Sequence, residues 1–194
     1  MDKKDVIAFF DERAAGWDRT LLHNDEVISA ILDNANVRKD CDVLDVGCGT
    51  GVLIPDYLSR QAGSVTAVDI SPEMLRMAAA KFPHENVRFF CADAENAEFD
   101  REFDCIMIYN AFPHFEDPDG LIRSLSRFLK PGGTLSVAHG MSRAAIDAHH
   151  AGAAEKVSRG LMHEDALAAI FEKYLQLTVK ISDERMYQVA GRRI

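Results

Sequence analysis

From Cys41 onward the chain alternates short apolar runs with stretches of helical periodicity. Val43–Val46, Val65–Ile70, Val87–Cys91, Phe103–Tyr109 and Thr134–Ala138 read as strands that are apolar on both faces. That pattern suits a parallel sheet covered by helices on each side, because a strand with one wet face alternates apolar with polar residues. Between the runs, Val52–Ser59, the stretch opened by Ser71-Pro72-Glu73, and Pro118–Leu129 read as helices. Ser71 is a good N-cap, and Pro72 suits the first helical position, where its missing N–H costs nothing. Leu121, Leu125 and Phe128 give the last of these helices its buried stripe, and Lys130-Pro131-Gly132-Gly133 is expected to stop it. Ala94–Arg101 reads as a short helix or a loop. Right-handed crossovers then give an α/β fold with a Rossmann-like, doubly wound, mostly parallel sheet.

The flanks have a different character. Ile7, Phe10, Ala14 and Trp17 recur at helical spacing, as do Ile28, Ile31, Leu32 and Ala35, so residues 1–36 are expected to form a helical lid. Residues 140–162 read as an inserted cap segment, with Ser142 capping a helix that reaches His150 and Gly152 and Gly160 breaking it. Leu167, Ile170, Phe171 and Tyr174 mark an amphipathic helix, and Gln176–Ile181 with Arg185–Ala190 reads as an antiparallel C-terminal hairpin. No repeat, low-complexity tract or linker interrupts the 194 residues, so a single domain over 1–194 is expected.

Charge and cysteine usage exclude several classes. A net charge of −9 argues against a nucleic-acid partner, which would need a basic face to neutralise phosphates. No segment approaches the roughly 20 apolar residues that span a bilayer, and the N-terminus lacks a signal-peptide pattern, so no membrane partner is expected. Cys41, Cys48, Cys91 and Cys105 show no paired spacing, as in a reduced protein, and the cytoplasm is the expected location.

The chemistry concentrates in Val43-Leu44-Asp45-Val46-Gly47-Cys48-Gly49-Thr50-Gly51, a buried strand ending in a glycine turn that opens a helix. Glycines there let a ligand approach the main chain with no Cβ in the way. Val52 occupies the place of the third glycine of nicotinamide-binding turns. Asp45 just before the turn suits an ammonium group and would repel a diphosphate, while Asp69 ends the second strand where an acid meets ribose hydroxyls. Taken singly, Asp45 is equally a turn carboxylate and Asp69 a helix cap; beside the glycine turn the two acids point to a ligand.

With Leu129-Lys130-Pro131-Gly132-Gly133, these motifs make the chain resemble the class I S-adenosylmethionine-dependent methyltransferases of small-molecule type, from about Phe9 to the hairpin. The resemblance implies that S-adenosylmethionine binds and S-adenosylhomocysteine is the product. It implies that Gly47, Cys48, Gly49, Gly51 and Asp45 hold the methionine tail, and that Asp69 binds the ribose. Ile70 and Met74 would pack beside the adenine, with Asp93 accepting its amino group and the Ala94 amide facing the ring. Asn110 and Ala111 would lie under the sulfonium, and the Lys-Pro-Gly-Gly turn would be structural. Trp17, in the segment Phe9–Asp18 that resembles the family's N-terminal lid, would cover the cofactor or else dock its helix on the sheet. Asn110-Ala111-Phe112-Pro113 lacks the signature of amino-methylating nucleic-acid enzymes, which leaves a small-molecule acceptor.

Methyl transfer from a sulfonium needs alignment and exclusion of water rather than a protein nucleophile, and a base only when the acceptor must lose a proton. His114 after the fourth strand and His139 at the end of the fifth are the expected catalytic candidates, as base or acceptor-orienting groups, with His149 or His150 folding over from the insertion. A metal site and plain loop or core histidines stand as alternatives; no metal ligand is assigned. Two rival functions also remain: a nicotinamide-dependent oxidoreductase, and a cofactor-binding or regulatory protein without turnover.

Overall fold

The computed structural model describes residues 2–19, 21, 23–150 and 155–194. Its elements run α1 (Lys3–Arg13), a 3-10 turn (Ala14–Arg19), α2 (Asp25–Asn34), β1 (Asp42–Val46), α3 (Ile54–Ser59), β2 (Ser64–Asp69), α4 (Pro72–Lys81) and β3 (Val87–Cys91). They continue with β4 (Phe103–Tyr109), a 3-10 turn (Phe112–His114), α5 (Pro118–Ser126), β5 (Leu129–His139), α6 (Arg143–His150), a 3-10 turn (Glu155–Val157), α7 (Glu164–Phe171), β6 (Gln176–Ser182) and β7 (Tyr187–Arg192). The seven strands form one sheet in the order β3-β2-β1-β4-β5-β7-β6. The first five are mutually parallel, and β7 runs antiparallel to both β5 and β6.

Successive side chains of a strand point to opposite faces, and in the inner strands β1, β2, β4 and β5 both faces are largely dry, whereas the edge strands β3 and β6 leave residues exposed. Leu44, Val46, Ile106, Ile108, Leu135 and Val137 pack with Leu121 and Leu125 of α5 and with Leu167 and Phe171 of α7. Val43, Val65, Ala67, Cys105 and Met107 pack on the other face with Ile28, Ile31 and Leu32 of α2 and with Ile54 and Tyr57 of α3. Each fully buried Leu or Ile contributes about 1.5–3 kcal/mol, so these two clusters hold the sheet between its helices. Ser71 caps α4 as expected, its hydroxyl accepting from the Met74 amide at 3.1 Å with Pro72 in the first turn.

Three boundaries move. Residues 1–36 do not act as one unit: α1 and its 3-10 turn cover a crevice, whereas α2 belongs to the core, with Ile31 and Leu32 fully buried and the Ile31 carbonyl accepting from Gln188. The helix over Pro118 ends at Ser126, and Lys130–Gly133 lies inside β5 instead of stopping a helix. Two long-range bonds explain this: the Gly132 amide donates to the Arg193 carbonyl, and the Arg193 amide to that of Gly133. Lys130 also bridges Asp42 and Asp104 at 2.7 Å each, so the Lys-Pro-Gly-Gly segment ties the strands together at the end of the sheet away from the crevice. The last strand starts at Tyr187, because the Asp183 carboxylate accepts from the amides of Arg185 and Met186 and holds them in the turn.

In the insertion, Ser142 caps α6 through the Ala145 amide. The side chains of His149 and His150, and Gly152, lie outside the described residues. Among the described residues no helix is long and apolar enough to cross a membrane.

Candidate active site

The strand order reverses beside β1, whose neighbours β2 and β4 carry the chain away in opposite directions; a crevice opens there, at the carboxyl ends of the strands. The glycine turn forms its floor. Gly47, Gly49 and Gly51 have φ of 70°, 54° and 86°, a left-handed region that side chains with a Cβ enter at a cost. The amides of Gly47 and Cys48 both donate to the Val68 carbonyl, at 2.8 and 3.0 Å, which pins the turn to β2. A Cβ on Gly47 would lie 2.6 Å from the Ala111 Cβ, and one on Gly51 only 2.8 Å from Ile54. Gly47, Cys48, Gly49 and Thr50 line the crevice. Gly51 and Asp45 are not among its lining residues. Gly51 serves the packing of α3, and Asp45 is buried under the turn.

Asp69 reaches into the crevice from the end of β2. Its carboxylate accepts from the Gly49 amide at 2.8 Å and the Ser71 amide at 2.9 Å, so it organises both the turn and the start of α4. Burial pushes its pKa above the ordinary carboxylate value, against the pull of those amides. Asp45 is pushed further, to about 7, by burial and by the nearby Asp69 charge. The Tyr57 hydroxyl opposes that rise but stops short of a well-formed hydrogen bond, and Asp45 Oδ2 and Tyr57 OH both lack a partner.

Asp93 follows β3 and lines the crevice with Ile70, Met74 and Ala94. It accepts from Lys3 of α1 and from the Asn96 amide. Partial burial raises its pKa, but these donors outweigh it and hold the carboxyl below the ordinary range. Glu95 joins three segments: one oxygen accepts from the Glu116 and Asp117 amides at 2.9 and 2.8 Å, and the other pairs with Lys3 at 3.0 Å. Asn110 has φ 53°, which Asn tolerates better than most residues, and its side chain accepts from the Gly140 amide at 3.2 Å. Asn110 and Ala111 thus edge the crevice beneath its roof.

The roof comes from α1 and the turn after it, through Val6, Phe10 and Trp17. Polar contacts fasten it to the elements that build the floor. Asp11 accepts from the Ser71 hydroxyl, and Asp18 accepts from Thr50 and pairs with Lys81 at 2.8 Å. Phe10 meets Trp17 edge-on at 5.5 Å and the His114 ring edge-on at 5.0 Å. Lys3, Asp11, Asp18 and Glu95 are absent from the residues singled out in the sequence. No spacing announces them, because each acts on a partner tens of positions away.

The histidines separate. His114 lines the crevice, and its Nδ1 lies 2.6 Å from the Val157 carbonyl. His139 does not line it; it is 1% exposed, with its ring edge-on to Tyr187 at 6.0 Å. His139 ends β5 directly across from Tyr187 of the neighbouring β7, and this cross-strand pairing sets the two rings together. Among the described residues no three His, Cys, Asp or Glu gather as a metal would require.

A left-handed glycine floor, two carboxylates and an apolar wall between them fit an adenosyl group with an amino-acid tail. Asp69 and Asp93 offer acceptors for hydroxyl and amino hydrogens, and a Cβ on Gly49 would point into the crevice, 3.9 Å from the Trp17 indole nitrogen. Comparison with known proteins agrees. Residues 43–133 match a family described as a methyltransferase domain. The chain is 33% identical over 139 residues to a malonyl-[acyl-carrier protein] O-methyltransferase of Acetivibrio thermocellus, covering 70% of this chain and 49% of that one. It is 36% identical over 114 residues to a ubiquinone biosynthesis O-methyltransferase of Xanthomonas oryzae, covering 57% and 46%. The chain therefore spans about half the length of these curated relatives. Among solved structures, the DhpI–SAH complex superposes with a TM-score of 0.76 at 20% identity, covering 98% of this chain and 96% of that one. A Haloferax volcanii putative methyltransferase, in complex with the Trm112 activator, gives 0.77 at 20% identity over 94% and 96%. By fold, motifs and these likenesses, the chain belongs to the class I S-adenosylmethionine-dependent methyltransferases.

Proposed function

We propose that this protein transfers a methyl group from S-adenosylmethionine to a small-molecule acceptor. One observation carries the reading: the glycine turn, Asp69 and Asp93 line a single crevice that an aromatic roof closes. When bound, the cofactor supplies an electrophilic methyl group on a sulfonium. The chain's part is to hold the donor and align the acceptor. Asp69 would receive the ribose hydroxyls and Asp93 the adenine amino group, with Ile70, Met74 and Ala94 against the ring. Gly47, Cys48 and Gly49 would border the tail. Phe10 and Trp17 would exclude water, which is worth most where a charged centre reacts.

A small acceptor, rather than nucleic acid, is supported by the net charge of −9 and by acids at one end of the crevice, Asp93, Glu95 and Glu116. A nicotinamide cofactor is disfavoured by Asp45 beneath the turn and by Val52 at the third glycine position. A cytoplasmic location is supported by four cysteines that are all free thiols.

Asp69→Ala is the direct test. Calorimetry with S-adenosylhomocysteine should show affinity falling by about 1–3 kcal/mol, because ribose hydroxyls lose their acceptor. Equal affinities in wild type and variant would remove the assignment. Turnover is checked separately by S-adenosylhomocysteine release across an acceptor panel; cofactor binding without any release would favour a regulatory protein.

The roof should respond to the cofactor. Among the described residues its apolar cluster is small, chiefly Val6, Phe9 and Phe10 against Ile70 and Val157, so local opening is expected to cost less than opening the core. Hydrogen exchange around Phe10 and Trp17 should slow when S-adenosylhomocysteine is added. Unchanged exchange there would mean that α1 is simply packed on the domain.

A further inference from the structure

Lys3 opens α1, at the end of a helix where the backbone dipole disfavours a cation. Helix stability therefore does not account for its place. Lys3, Val6 and Phe10 stand at helical spacing and all line the crevice, so Lys3 ends the stripe that roofs it. Its ammonium reaches two acids of the segment after β3 at once: Asp93 Oδ2, and Glu95 Oε2 at 3.0 Å.

The Asp93 carboxylate is already well supplied with donors. Oδ2 accepts from Lys3 and from the Asn96 side chain at 2.6 Å, and Oδ1 accepts from the Glu95 amide at 3.2 Å. A carboxylate oxygen carries two lone pairs, so Oδ2 is full. An amino group arriving there has to replace a donor. Asn96 belongs to the same turn as Asp93, its amide bonded to the Asp93 carbonyl at 3.0 Å, and it has little room to withdraw. Lys3 sits on a flexible four-carbon stem and keeps Glu95 as a second partner. It is the donor that yields.

Resting on the methyl-transfer reading and its placement of adenine at Asp93, we infer that Lys3 is a built-in competitor of the cofactor. It holds the Asp93 oxygen that the adenine amino group takes, and cofactor binding displaces it onto Glu95. The roof stays tethered through the exchange. Glu95 pairs with Lys3 through one oxygen and accepts from the Glu116 and Asp117 amides through the other, so the displaced ammonium still ties α1 to the loop before α5. Roof and adenine thus draw on the same carboxylate. A ligand with no hydrogen to donate at this point cannot release Lys3 from it.

The pair is charged throughout the neutral range. Partial burial lowers the pKa of Lys3, but its bonds to Asp93 and Glu95 outweigh that and hold it above the ordinary value, while the Asp93 carboxyl lies below its own. Salt rather than pH is therefore the variable that loosens the contact, because dissolved ions screen a pair that is partly open to water.

Lys3→Met keeps an unbranched stem and removes the charge. Calorimetry with S-adenosylhomocysteine should show the variant binding about two- to fivefold tighter than wild type, the scale of a partly exposed ion pair. Raising the salt from about 0.05 to about 0.5 M should narrow that gap, because only wild type has this pair to screen. S-inosylhomocysteine carries a carbonyl in place of the amino group and leaves Lys3 on Asp93, so its affinity should be the same in both proteins. Lys3→Arg, which retains the cation, should restore wild-type affinity. An S-adenosylhomocysteine affinity that is unchanged or weaker in Lys3→Met would overturn the inference. So would an equal gain for both ligands, which would mean that the roof had merely loosened. Wild-type protein that binds the two ligands equally would overturn the placement of adenine at Asp93 and the inference with it, and leave methyl transfer standing. Failure to bind either ligand would remove that reading too.

Discussion

Gly47→Ala should abolish measurable binding of S-adenosylhomocysteine and lower the melting temperature. Two costs coincide at this position. The backbone sits at φ 70°, where an L-residue pays about 1–2 kcal/mol. The new methyl carbon would also lie 2.6 Å from the Ala111 Cβ, and forcing such overlap in a packed region costs about 1–3 kcal/mol. Neither neighbour yields cheaply. The turn is held by the Val68 carbonyl on one side, and Ala111 sits between β4 and the 3-10 turn of Phe112–His114 on the other. Relief therefore comes by moving Gly47–Gly49 or Asn110–Ala111, and both line the crevice. Thermal unfolding with calorimetry checks this, and Gly16→Ala is the control, since a Cβ there meets nothing within 4 Å. A Gly47→Ala protein with wild-type melting and wild-type affinity would show that the turn is not the tail-binding floor.

This contact also marks where sequence reading stops. Gly47, Asp69 and Asp93 are legible because a strand, a turn and a helix start are local patterns, and a parallel α/β sheet brings all its strand ends to one edge. The five parallel strands are legible for the same reason: runs such as Phe103–Tyr109 are apolar on both faces. What local pattern cannot carry is pairing across the chain. Lys130–Gly133 looks like a helix stop until Arg193 is known to bond Gly132 and Gly133. The apolar spacing of α1 and α2 is the same kind of signal, yet one helix roofs the crevice with few buried residues and the other is sealed against the sheet. His114 lies in the 3-10 turn after β4 and His139 is the last residue of β5, paired across the strands with Tyr187, and no local pattern tells which of the two lines the crevice. Asp45 was readable as an acid next to the turn, but its burial beneath the turn was not.

That burial leads to the second large effect. Asp45 has a folded pKa of about 7 against an ordinary 3.8, because burial and the Asp69 charge both penalise its ionised form. A carboxyl whose pKa is raised on folding favours the folded state fully below its unfolded value and withdraws that support as pH rises through the folded value. Between about pH 4 and pH 7 the wild-type protein should therefore lose stability from this residue, by up to about 4 kcal/mol, with no further loss above. Asp45→Asn removes the titration and keeps the shape. Its amide nitrogen has no acceptor assured under the turn, which costs about 1–3 kcal/mol at every pH, so the slope rather than the absolute stability is diagnostic. Urea unfolding at pH 4.5 and pH 8 should show the variant gaining on wild type by several kcal/mol across that interval. Under the proposed function a bound cofactor would add a second reading, because a methionine ammonium held at the glycine turn would favour the Asp45 carboxylate and lower its pKa. Binding near pH 6.5 should then release protons, seen as a dependence of calorimetric heat on the buffer's ionisation enthalpy, and Asp45→Asn should lose that dependence. Parallel stability slopes in the two proteins would mean that Asp45 finds a partner in solution and stays ionised across this interval.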